Sequence, residues 1–272
     1  MKTNRFYLLL IVFVSGMTSL AVELSASRLL EPYFGTSLII WANLIGLVLI
    51  YLTVGYYIGG RWADRHPEER VLYQITAWAG FAIGLVPFIA RPILRWSVLG
   101  FANYSLGILM GSLFGVILLF AFPVTLLGCV SPFAIRLAMR DVDSAGNIAG
   151  SIYALSTLGS IIGTFTPVLV LIPNIGTRNT FLSFSLVLLV FSIIALARVA
   201  GRRTLLYVLL LVILLALLLF VPTGAIKASP GLIYETESAY NYIQVLQRGD
   251  DINLHLNAVS YTHLTLPTIY SV

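Results

Sequence analysis

The sequence predicts an all-α polytopic membrane protein of about seven transmembrane helices followed by a short β-hairpin. Three observations carry that reading. Of 272 residues 59% are apolar and only 10% charged, and the mean hydropathy is +0.96, far outside the range of a water-soluble domain of this length. The apolar residues fall in runs long enough to cross a hydrocarbon core of ~30 Å. The stretch that reads as water-soluble structure, Tyr234 to Asn257, comes after the last run. The partner these features imply is the lipid bilayer. A net charge of +5 is spread in pairs and triplets between the runs, the pattern of orientation signals, which excludes nucleic acid as the partner.

The first run, FYLLLIVFVSGMTSLAVEL from Phe6, stands behind Lys2 and Arg5 and is too long for a secretory leader, so it reads as a retained helix. At ~1.5 Å per residue Glu23 lies roughly 25 Å along the span, and Arg28 and Glu31 reach the far interface. A carboxylate at that depth either pairs inside the bundle or handles a ligand or ion, which makes Glu23, Arg28 and Glu31 the intramembrane candidates. The second run, 37–60, ends in GYYIGGRWADRHPEER. Asp64 and Arg65, directly after a helix end, can bind neighbouring helix termini and latch a bundle. The pattern Gly60-x-x-x-Asp64-Arg65 resembles the loop between helices 2 and 3 of major facilitator transporters. His66 in the same loop has no second ligand at metal-binding spacing. Further runs at 71–90, 104–127, 148–172, 180–196 and 205–221 complete the set.

Small residues recur four apart: Gly55 and Gly59, Gly80 and Gly84, Gly107 with Gly111 and Gly115, Gly146 with Gly150 and Ala154, Gly159 and Gly163. That spacing stacks them on one helix face, where backbones approach closely, and it also offers faces for a second copy in a homo-oligomer. Pro123, Pro132 and Pro167 fit either ordinary membrane helices or the broken helices of a transporter. Lys2, Arg5, Arg61, Arg65, Arg70, Arg136, Arg140, Arg198, Arg202 and Arg203 fall on the side of the N-terminus. Arg28, Arg91, Arg95 and Arg178 fall opposite. The N-terminus is therefore expected in the cytoplasm of a bacterial inner-membrane protein; seven crossings put the hairpin on the far side, whereas it stays on the cytoplasmic side if the run after Arg203 does not cross.

In the water-soluble stretch, Tyr240 to Leu246 and Ile252 to Asn257 read as strands about the polar turn Gln247 to Asp251. SAYNYIQV at Ser238 to Val245, followed by LHLN at Leu254 to Asn257, resembles the N-terminal hairpin of spermidine synthases, and the whole chain resembles bacterial proteins that fuse a membrane bundle ahead of such a domain. The resemblance implies a Rossmann-like α/β domain, aminopropyl transfer to a polyamine, and decarboxylated S-adenosylmethionine as co-substrate, with Asn241 near its nucleoside and Gln244 a second contact. Asn241 stands where the family has Gln, and Asn257 where it has Asp. The division expected is a helical bundle over 1–222, a linker and hairpin over 223–257, and a tail over 258–272. The tail, VSYTHLTLPTIYSV after Ala258, resembles the in-frame translation of a transposon-type sequencing adapter, so neither His255 nor His263 is assigned chemistry. The Gly-rich turn, ribose-binding acid and proton-accepting carboxylate of the synthases are not found in this sequence, so it is expected to be the membrane-anchoring portion, without catalytic residues or activity by itself. The alternative is a small transporter for polyamines or other amines, with Glu23 as the cation partner.

Overall fold

The computed structural model describes residues 5–101, 103, 106–139, 144–221, 226–238, 240–249, 251–257 and 259–261. Lys2 and Arg140, and the tail beyond Tyr261, lie outside the described residues. Among the described residues five helical stretches are long and apolar enough to cross a membrane: Arg5–Phe34, Leu38–Arg65, Glu69–Phe101, Gly107–Ala138 and Ala145–Phe220. In lipid the backbone must satisfy its own hydrogen bonds, and runs of Leu, Val, Ile and Phe with no competing water do so as helix.

The first three stretches are single helices, α1 (Arg5–Phe34), α2 (Leu38–Arg65) and α3 (Glu69–Phe101). Gly35, at a φ of +79°, turns the chain between α1 and α2, and the Ser37 side chain accepts from the Ile40 N–H at the start of α2. Pro67 cannot continue α2, which stops at Arg65. Asp64 and Arg65 thus sit in the last helical turn of α2, one turn beyond the helix end the sequence suggested. The fourth stretch divides at Cys129 into α4 (Gly107–Gly128) and α5 (Val130–Ala138).

The fifth stretch, 76 residues, is broken twice. After α6 (Ala145–Thr166), Pro167 begins a π-helical turn to Leu171; α7 (Ile172–Ala200) contains Gly176 at φ +79° and ψ 165°; and Gly201–Thr204 forms a 3₁₀ turn before α8 (Leu205–Phe220). Proline removes a backbone donor and glycine alone tolerates a positive φ without strain, so both breaks have local causes.

Contacts between helices give their relative directions. Gly159 meets Phe13 and Gly163 meets Met17, so α1 and α6 run parallel. Asn43 bonds Ser112 while Gly55 meets Gly128 and Gly59 meets Cys129, so α2 and α4 are parallel. Gly80 meets Leu189 while the Arg178 guanidinium lies over the Phe88 ring, which makes α3 and α7 antiparallel. Two apolar cores fill the bundle. One joins Leu29, Leu30, Leu44, Ile83, Leu94, Val116 and Phe120 toward the C-terminal end of α1. The other joins Leu8, Ile11, Tyr73, Phe133, Leu196 and Leu214 toward its N-terminal end.

Beyond the helices lies an antiparallel meander in the order β1 (Leu232–Glu237), β2 (Tyr242–Arg248), β3 (Asp251–Leu256) and a short β4 (Val259–Tyr261). Arg248 pairs with Asp251, so the β2–β3 turn is tighter than the five-residue turn read from sequence, with Gly249 at φ +64°. Strand β1 falls in what the sequence presented as linker, and it pairs with β2 from Leu232↔Leu246 to Glu237↔Tyr242.

The glycine contacts generate a test. A Cβ at Gly163 would strike the Met17 carbonyl, whereas one at Gly150 would meet nothing within 4 Å. Gly163→Val should destabilise the bundle by about 1–3 kcal/mol, while Gly150→Ala should stay within about 0.5 kcal/mol of the parent. Unfolding in detergent followed by circular dichroism checks both.

Candidate functional site

One cluster of charged residues lies where the sheet meets the bundle, at the C-terminal end of α1 and the start of α7. Arg28 and Glu31, one helical turn apart, form an ion pair at 2.9 Å, and Glu31 is only 4% exposed. The other donors of Arg28 leave the helix: Nη1 donates to the Tyr240 carbonyl at 3.1 Å and Nη2 to the Ser238 carbonyl. A planar guanidinium suits this work because its donors fork in fixed directions. Glu31 holds the fork, and the fork holds the β1–β2 turn.

A second contact comes from the sheet to the bundle. Gly176 breaks α7, and Thr177 begins the continuous helix after it, with N–H groups that have no partner within the helix. Glu237 at the end of β1 supplies one: Oε2 accepts from the Thr177 N–H at 2.6 Å and Oε1 from the Thr177 hydroxyl at 2.5 Å. A carboxylate there both caps the helix and complements its dipole. A Cβ on Gly176 would lie 2.9 Å from Glu237 Oε2, so the glycine provides both the positive φ and the room.

The segment between bundle and sheet is tied down as well. Tyr33 donates its hydroxyl to the Ile226 carbonyl at 2.6 Å, and Lys227 Nζ donates to the Pro32 carbonyl at 2.7 Å. Glu235 Oε1 accepts from the Ile226 N–H at 2.9 Å and from the Tyr242 hydroxyl at 2.7 Å. Burial moves these groups in the directions expected of desolvation. It lowers the Lys227 ammonium and raises the Tyr242 hydroxyl, which Glu235 pushes up further. It also raises the Glu237 carboxyl against the opposing pull of the Thr177 hydrogen bonds and of Arg28.

Asn241 and Gln244 spend their amides inside this sheet. Asn241 Oδ1 accepts from Asn257 Nδ2 at 3.1 Å, and Asn257 Oδ1 accepts from the Tyr242 N–H at 2.8 Å, so the two departures from the synthase pattern bond each other. Gln244, 3% exposed, donates to the Lys227 carbonyl at 2.6 Å and accepts from Ser229. Asp64 and Arg65 lie at the other end of the bundle. Asp64 accepts from Arg136 Nε at 3.0 Å, tying α2 to α5 through an exposed pair of the kind worth up to ~1 kcal/mol; Arg65 takes no part in it. Glu23, half-buried in α1, has no hydrogen bond or ion pair among the described residues.

Sequence reasoning missed Glu237, Thr177, Lys227 and Tyr33. The signal for one half was present: Pro173-Asn174-Ile175-Gly176 punctuates an apolar run, and the helix after it needs a cap. Nothing in the sequence says that the cap comes from a strand sixty residues on. Between that turn and β1 lies an open cleft of about 370 Å³ with Asn174, Arg178, Asn179, Glu235 and Glu237 on its walls. Its described lining carries amides, a guanidinium and two carboxylates, which suits recognition of a polar group. Among the described residues no group of three His, Cys, Asp or Glu side chains could hold a metal ion. Compared with protein-family models, curated proteins and solved structures, the chain matches none.

The Glu237 contact has a pH signature. Its carboxyl holds a proton to higher pH when docked than when free. That contribution to docking is fully present below the ordinary carboxyl pKa and is lost as pH rises through the raised value. Hydrogen exchange of the β1–β3 amides, corrected for intrinsic rates, should therefore show the sheet opening more readily as pH rises above the ordinary carboxyl range. Glu237→Gln should flatten that trend, and Glu237→Ala should weaken docking by about 1–2 kcal/mol.

Proposed function

We propose that this chain is the membrane bundle of a bacterial inner-membrane protein, and that its work is to hold a spermidine synthase-like domain at the bilayer surface. The observation that carries this reading is the double clamp. Arg28 grips the turn after β1 while Glu237 caps α7, so the sheet is fixed to the bundle by side chains from both partners. A domain on a loose tether would need neither contact.

The proposal includes seven crossings. The five apolar stretches become seven when Ala145–Phe220 is divided at Gly176 and at the Gly201 turn. The parallel pairs α1 with α6 and α2 with α4, and the antiparallel pair α3 with α7, fit strict alternation. Arg61, Arg65, Arg70, Arg136, Arg198, Arg202 and Arg203 then share the side opposite the sheet, which supports a cytoplasmic N-terminus. On this topology the sheet lies on the outer face, and its substrates have to be present there. Aminopropyl transfer from decarboxylated S-adenosylmethionine to a polyamine is what the SAYNYIQV and LHLN resemblance implies for the parent protein.

A transporter of amines is the competing reading, and the carboxylate of Glu23 within α1, without a partner among the described residues, favours it. Two measurements separate them. A read of the source gene across codon 258, from a library made without transposon adapters, should continue into a strand, a Gly-rich turn and an acidic residue. A stop codon after VSYTHLTLPTIYSV would end the synthase reading. Polyamine uptake into vesicles carrying the bundle should be absent, and uptake that Glu23→Gln abolishes would establish the transporter instead.

A further inference from the structure

At the end of the bundle away from the sheet, a groove of about 400 Å³ opens between α2, α3, α4 and α8. Its walls are almost wholly apolar: Trp62, Trp78, Phe122, Leu126 and Tyr207 form most of them, and Gln74 is the polar exception. Arg70, in the first turn of α3, stands next to this lining in sequence and close enough to act electrostatically on Tyr207. Its Nε is buried and, among the described residues, has no hydrogen-bond partner. A buried donor without an acceptor is costly and marks a place where an acceptor is wanted.

Depth places the groove at the membrane boundary. Trp62 lies in the last turn of α2, and Trp78 about 13 Å along α3 from Glu69. Trp62, apolar on the ring and polar at the indole N–H, belongs to the interfacial belt, Arg61, Arg65 and Arg70 give the same level positive charge, and Trp78 lines the groove about 12 Å deeper than Arg70. The apolar slot lies beside a guanidinium whose Nε has no acceptor among the described residues. An occupant that satisfies both ends has an acyl chain and a negatively charged head.

We propose that the groove between α2, α3, α4 and α8 binds an anionic phospholipid, its acyl chain lying between Trp62 and Trp78 and its phosphate accepting from Arg70. Basic pockets between membrane helices recognise anionic headgroups in this way. The site is independent of what the sheet end of the bundle does, and it needs only that the chain sits in a bilayer.

The chain has four tryptophans, so replacing Trp41 and Trp96 with Phe leaves Trp62 and Trp78 as the reporters. That variant is reconstituted in phosphatidylcholine bilayers containing a minority of lipid brominated on the acyl chain, either phosphatidylglycerol or phosphatidylcholine. Brominated phosphatidylglycerol should quench the tryptophans about fivefold more effectively per mole, the preference one basic residue supplies at an anionic surface. Arg70→Gln should bring the two lipids to equality, and Arg70→Lys should keep most of the preference. Equal quenching by the two lipids in the parent protein overturns the site whether or not the Arg70 variants fold. A preference that survives Arg70→Gln in folded protein overturns the role of Arg70.

Discussion

Backbone in direct contact with backbone is the condition on which the bundle rests. Lipid is as apolar as leucine, so helices gain little from hiding leucines from it, and what draws them together is close packing. Gly159 and Gly163 of α6 lie against the main chain of α1 at Phe13 and Met17, Gly55 of α2 against α4 at Thr125 and Gly128, and Gly80 against α7 at Ser185 and Leu189. Hydroxyls finish the same joints: Ser160 donates to the Gly16 carbonyl, Ser185 to that of Gly80, and Ser192 to Thr76. Each joint requires a residue with almost no side chain beside one with a short polar one. The large apolar residues are then free to face outward, as on α2, where Leu38, Leu49, Ile50 and Tyr57 are all exposed.

The sheet obeys a different rule because water surrounds it, yet it shares its polar bookkeeping with the helices. Arg28 leaves its helix to reach two strand carbonyls, and Glu237 leaves its strand to reach a helix N-terminus. Both exchanges satisfy groups that the donor's own element cannot. Lys227 and Tyr33 do the same across the connecting segment, each ending on a carbonyl of the other side. The boundary between membrane and water is therefore also where charge-assisted hydrogen bonds are densest.

Much of this was legible in the chain. Hydropathy located the apolar stretches, and four-residue spacing picked out Gly55, Gly59, Gly80, Gly84, Gly111, Gly115, Gly159 and Gly163 as packing positions, all of which meet a neighbour. The same spacing at Gly146 and Gly150 misled, because both face open space; spacing defines a helix face but not which face is covered. Strand β1 escaped because LIYETE lacks clean alternation and its partner, not its own pattern, makes it a strand. Arg28 and Glu31 stood out as charges near the end of an apolar run, but nothing in the run itself said that they pair with each other. The capping of Thr177 by Glu237 did not stand out, since a contact of that range depends on where two breaks in the chain bring their ends.

The Gly176 break sets an order on how the molecule is made. A helix ordinarily finds its cap in the residues just before it, so it is complete as soon as it emerges. The α7 segment beginning at Thr177 instead waits for a residue sixty positions later, after α8 and the first strand have been synthesised. Until then its leading amides have only water or lipid headgroups for company. The sheet thus joins the helical frame only after α7 and α8 have been made, and the end of α7 is finished by a residue of a different element.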